Sequence, residues 1–134
     1  MSDEKEVGNT PPRILRRADI DTARDHRRKL VPVPEWGGSV YVQSMTGHER
    51  NAFIETGFDK VTVDGKEELK PKDLSTAIKL LVRCLVDEGG QRLYKDDDAT
   101  ALAERDATVL DRLVREAMEV CGLVEGAVEE AAKN

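Results

Sequence analysis

Few residues in this 134-residue chain have the type and spacing that chemistry requires. His26 and His48 are the two histidines. Each stands alone, without a second His or Cys at the short spacings that present ligands to a metal ion, and each reads as a solvent-exposed side chain. Cys84 and Cys121 are the two cysteines, both set among apolar residues, where a thiol behaves as a small buried hydrophobe of a reducing compartment. Asp96-Asp97-Asp98 resembles part of a calcium loop only superficially. The sixth position of such a loop falls on Ala101, where glycine is required, and no Glu stands at the twelfth. Helix capping is the better use of those aspartates. No Gly-rich phosphate loop, nucleophile elbow or zincin motif occurs. The residue types thus predict no catalytic, cofactor-binding or metal-binding site, and no enzyme.

What the chain does carry is charge and a single tryptophan. Charged residues make up 36% of the sequence, and the net charge is −6. Residues 13–29 hold seven basic side chains against three acidic, whereas residues 30–134 hold 13 against 21. A basic arm therefore precedes an acidic body. Its charges either neutralise its own domain or a neighbouring subunit, or meet a charged partner surface. No aromatic residue lies in the arm to stack on bases, and the overall acidity argues against nucleic acid. Trp36 sits on a turn, where it either tucks under as a satellite core residue or anchors a protein contact.

The elements that must position these residues follow from periodicity. A hydrophobic share of 39% together with ten glycines is enough for one globular core. The longest apolar run is far too short to span a membrane, and the first residues, MSDEKEVGNT, lack the apolar stretch of a secretory signal. Residues 1–12 read as a disordered tail and 13–29 as a basic, partly helical arm whose thin apolar stripe includes Ile14, Leu15 and Ala18. Residues 30–45 alternate around Gly37-Gly38 as a β-hairpin, with Pro32 and Pro34 placing its first strand at a sheet edge. Residues 46–122 read as a helical core. Thr46 and Glu49 form a capping box. Val61-Thr62-Val63 reads either as a short strand or as a linker, and Asp64–Glu68 as an exposed turn. Leu74, Ile78, Leu81 and Leu85 form a helical stripe to about Asp87. A last helix carries Leu110, Leu113, Ala117, Met118 and Cys121 on one face and ends at Gly122. Residues 123–134 read as a fraying C-terminal helix or tail. The expected fold is mainly α with a small N-terminal β-hairpin, its core an α-helical bundle of about four helices.

Taken in order, the segments form a series. Ile14-Leu15-Arg16-Arg17-Ala18-Asp19-Ile20 precedes Val31-Pro32-Val33-Pro34-Glu35-Trp36-Gly37-Gly38 and Met45-Thr46-Gly47-His48-Glu49-Arg50. Leu81 to Gly90, Leu93-Tyr94-Lys95-Asp96-Asp97-Asp98 and a helix ending Cys121-Gly122-Leu123 follow. Over residues 13–134 this series resembles the tail assembly chaperones of long-tailed, non-contractile bacteriophages and their prophages. Gly89-Gly90 stands where that family commonly has Asp-Gly, a change of turn chemistry alone.

The resemblance implies a non-enzymatic chaperone of the host bacterial cytoplasm, absent from the mature virion. It implies binding to the tape-measure protein, which it keeps soluble, and promotion of tail-tube assembly around it. A frameshifted longer form would engage the tail-tube protein, and copies would assemble into a ring or spiral. Ile14, Leu15, Ala18 and Trp36 are the candidate partner-binding residues, with no cofactor, nucleic acid or membrane involved. The competing reading is a small structural virion protein, either a head–tail connector or a tube-associated subunit. A DNA-binding regulator is disfavoured by the acidic body.

Overall fold

The computed structural model describes residues 11–123. The expected tails at 1–12 and 123–134 lie outside them, apart from residues 11, 12 and 123.

The first ladder grows from alternation. β1 (Arg28–Val33) pairs antiparallel with β2 (Gly38–Gln43), from Arg28 opposite Gln43 to Val33 opposite Gly38. Val31, Val33 and Val42 point into the core, while Leu30 and Pro32 face solvent. The connection is a single 3₁₀ turn, Pro34–Trp36, closed by Gly37 at φ +78°. Gly37 alone supplies the left-handed residue, and Gly38 already belongs to β2. β1 is an edge strand, where Pro32 removes a donor without breaking an interior ladder.

α1 (Arg17–Asp21) precedes this hairpin and buries none of its residues. α2 (Gly47–Gly57) follows it and is capped by Thr46. The Thr46 hydroxyl accepts from the Glu49 N–H (3.1 Å), and the Glu49 carboxylate accepts from the Thr46 N–H (3.1 Å). Gly57 is buried, and an added Cβ there would lie 2.6 Å from the Thr76 methyl group.

Next comes a second ladder. β3 (Phe58–Val63) and β4 (Lys66–Pro71) pair over six residues each, joined by Asp64 and Gly65, both at positive φ (51° and 78°). That is the type I′ turn, whose twist matches the strands it joins. Phe58 is the one fully buried residue of this ribbon, and it meets Phe53 edge-on at 6.5 Å between ring centroids.

α3 (Leu74–Cys84) is capped by Asp73, whose carboxylate accepts from the Thr76 N–H. It buries Ile78, Leu80, Leu81, Val82 and Cys84, but Leu74 is exposed. The helix ends at Cys84, and Leu85-Val86 leaves it directly as β5, antiparallel to β2. α4 (Ala99–Ala103) and α5 (Ala107–Val120) complete the described fold. Asp106 caps α5 by accepting from the Thr108 and Val109 N–H groups. At its other end Leu123 N–H donates to the Met118 carbonyl and Gly122 N–H to that of Glu119, with Gly122 at φ +73°, a Schellman motif.

α3 and α5 pack on each other and on one face of the sheet ordered β1-β2-β5. Leu81, Leu85, Leu102, Leu113, Val33 and Val42 are sealed between these layers, and each such side chain contributes roughly 1.5–3 kcal/mol by leaving water.

The expectation of a mainly α protein with a four-helix bundle and a small hairpin is therefore overturned. Among the described residues, five strands in two antiparallel sheets accompany five α-helices. Two local causes explain the difference. Leu85-Val86 is an apolar continuation of α3 that serves as a strand, and apolar runs of this length do not distinguish the two states. The 58–71 ribbon is mostly exposed on both faces, so it carries little of the apolar alternation by which a strand is read.

Candidate functional site

The residues with chemical potential occupy structural posts. His26 and His48 are exposed, and among the described residues no cluster of His, Cys, Asp and Glu is arranged to hold a metal ion. Cys84 and Cys121 are both buried, with their sulfurs 3.6 Å apart at the ends of α3 and α5. The neighbouring Cys121 sulfur and burial together push the Cys84 thiol far above its usual range, which removes it as a nucleophile. Asp98 accepts from the Lys95 N–H at the start of the 3₁₀ turn Asp96–Asp98. Asp96 binds Arg92 (2.7 Å) and Arg83 (3.3 Å), and these guanidinium groups hold its carboxyl below the ordinary range. Arg83 also pairs with Glu49. Partial burial opposes the Glu49 charge, but the Thr46 N–H and Arg83 outweigh it, and its carboxyl too is held low.

The basic segment divides in two. Arg27, Arg28 and Lys29 turn back onto the body. The Arg27 guanidinium donates to the Val120 carbonyl at 2.8 Å, and Arg50 from α2 donates to that of Cys121 at 3.3 Å. Two cations thus complement the negative end of α5. Arg28 donates to the Glu88 carbonyl and lies over the Tyr41 ring, 5.2 Å from its centroid. Lys29 pairs with Glu116 and Glu119 on α5. None of residues 13–24 is buried. Arg13 pairs with Asp19 and Arg17 with Asp21 inside the arm, while Arg16 and Arg24 form no ion pair among the described residues.

Of the four candidate partner-binding residues, three sit together on this arm. Ile14 is 81% exposed and Leu15 52%, and Ala18 is exposed on α1. Trp36 stands apart at the tip of the β1–β2 hairpin, 37% exposed. Its neighbour Glu35 is gripped by Arg112 of α5 through two bonds of 2.7 and 3.1 Å, so the tip is fastened to the body. Ile20, 61% exposed on α1, belongs with the arm residues. Its signal in the sequence was an apolar residue two positions after Ala18 in the same charged stretch.

A second surface escaped the sequence reading altogether. The ribbon stands against α2 and α5 across two adjoining hollows of about 380 and 430 Å³, which share Glu68 and Leu69. Apolar Ile54, Leu69, Val114, Met118 and Leu123 floor this trough. Its rim carries Glu67, Glu68, Asp111 and Glu119 against Lys60 and Arg115. The Asp64-Gly65 pair was the signal for the ribbon, being the residue pair that a two-residue hairpin turn favours. Nothing local indicates that β4 lies beside α5.

Residues 14–134 match the phage tail assembly chaperone family. The chain belongs to that family. The match spans the arm, both hairpins and all the helices described above. The fold is also similar to the solved structure of the bacteriophage HK97 tail assembly chaperone, with a TM-score of 0.51. That likeness covers 81% of this chain and 92% of the HK97 chain at 22% identity, and it is one of fold. No curated protein matches the sequence. The arm and the trough are the two exposed apolar surfaces described above. Among the described residues no helix is long and apolar enough to cross a membrane.

Proposed function

We propose that this tail assembly chaperone binds the tape-measure protein of its phage in the host cytoplasm. It keeps that protein soluble, promotes assembly of the tail tube around it, and leaves before the virion is complete. Family membership over residues 14–134 carries this reading. The physical features agree with it: a highly charged surface maintains solubility, and exposed apolar side chains offer adhesion to amphipathic helices. A longer form of the chain, made by frameshifting, engages the tail-tube protein. Copies of the chain associate through Ile14, Leu15 and Ala18 of the arm and through Trp36, while the helical body meets the tape measure.

Co-expression with the tape-measure protein tests the central claim. The tape measure should be soluble with this chain and aggregated without it. Mass spectrometry of purified particles tests the departure. Finding the chain in the virion at the copy number of a tube or connector subunit would favour a structural virion protein instead. Light scattering after size-exclusion chromatography tests self-association, which Trp36→Ala and removal of residues 1–24 should each diminish.

A further inference from the structure

We infer that the trough between the β3–β4 ribbon and α5 receives the arm of a second copy of this chain. The inference rests on the self-association proposed above and names the acceptor for it. The two surfaces match in chemistry. The arm, residues 13–24, sets Ile14, Leu15 and Ile20 among four arginines and two aspartates, and the three apolar side chains are half or more exposed. The trough sets an apolar floor under a rim of four acidic and two basic side chains. Glu67, Glu68 and Asp111 on that rim form no ion pair among the described residues, just as Arg16 and Arg24 form none on the arm.

The occupant is selected by charge. The chain's own residues 124–134 continue from Leu123 at the trough's end, but they hold three Glu and one Lys and would meet an acidic rim. The arm brings the opposite sign. α1 buries nothing in its own chain, and the arm's last residues lie elsewhere, with Ala23 and Arg24 lining a hollow beside Arg28, Gln43 and Gly90. Arm in trough is a head-to-tail joint, with a different surface used on each copy, so subunits add in one direction.

Sedimentation of the full chain over a range of concentrations tests the assignment. One variant breaks the arm (Ile14→Asp with Arg16→Glu), and another breaks the trough (Glu68→Lys with Asp111→Lys). Each should weaken self-association by about tenfold or more, since like charges then face each other in the joint. Mixed in equal amounts, the two variants should form a pair that does not grow, because one intact arm still meets one intact trough. If the trough variant assembles like the unaltered chain while the arm variant does not, the trough assignment falls and arm-driven association stands. The same result is expected if residues 124–134 fill the trough. If both variants assemble normally, or the unaltered chain is monomeric throughout, the self-association reading itself falls. Urea midpoints confirm folding, and Asp111→Lys alone, on an exposed face of α5, serves if the double variant unfolds.

Discussion

The two hairpins of this chain have equal strand lengths and opposite foundations. β1–β2 turns Val31, Val33 and Val42 onto α3 and α5, and its tip is tied down by Glu35 and Arg112. β3–β4 has the same six-residue ladder but anchors itself through Phe58, with Val61, Leu69 and Pro71 only half-buried. Burial holds the first in place. Turn geometry and one aromatic foot hold the second, and an exposed two-stranded ribbon is marginally stable by itself. The difference separates a hairpin that is scaffold from one whose faces remain open for another molecule.

That contrast has measurable edges. Val42→Asp would strand an unpaired carboxylate between the sheet and the helices, and urea unfolding should show a loss of about 3–5 kcal/mol. Val63→Asp, the corresponding insult to the ribbon, should stay within about 0.5 kcal/mol. Equal losses would erase the distinction. Gly65→Ala forces an L side chain to φ +78° and should cost about 1–2 kcal/mol. The cost should fall on the ribbon, as faster hydrogen exchange of β3 and β4 amides, while β1 and β2 keep their protection.

Thr46→Ala removes the α2 cap and should cost about 1 kcal/mol. Glu49→Gln should also destabilise at pH 7, through the cap and the Arg83 pair. The Glu49 carboxyl is held below its ordinary range in the folded state. Its stabilisation is therefore present above the unfolded pKa and lost as pH falls through the folded one. The gap between the variant and the parent should begin to narrow as pH falls past the ordinary carboxylate range, about pH 4, and close only at lower pH. Arg112→Ala frees the tip of the first hairpin and, for a solvent-exposed pair, should lower the urea midpoint less than Thr46→Ala does. A larger loss would mean that the scaffold hairpin leans on its tip more than on its valines.

What could be read from the sequence follows the same division. Leu110, Leu113, Ala117, Met118 and Cys121 recur at helical spacing because α5 buries one face, and periodicity records burial. The β1–β2 alternation was readable for the same reason. The ribbon buries little beyond Phe58 to impose a pattern, so only Val61-Thr62-Val63, open between strand and linker, and Asp64-Gly65 announced it. Leu74 fitted the α3 stripe yet sits in the first turn, beyond the edge of the layer it points along, and is 63% exposed. As for the site, the arm's exposed apolar residues were visible as a stripe too thin for a core. The trough arises only when β4 is brought beside α5, a relation between residues more than forty positions apart in sequence.

The meeting of Cys84 and Cys121 has a practical corollary. Both thiols are shut inside the layer that joins α3 to α5, so a thiol reagent reaches them only when that layer opens. The rate of alkylation in the unaltered protein is therefore a built-in gauge of core opening. It should fall if a partner clamps the body and stay constant if the partner touches the arm alone.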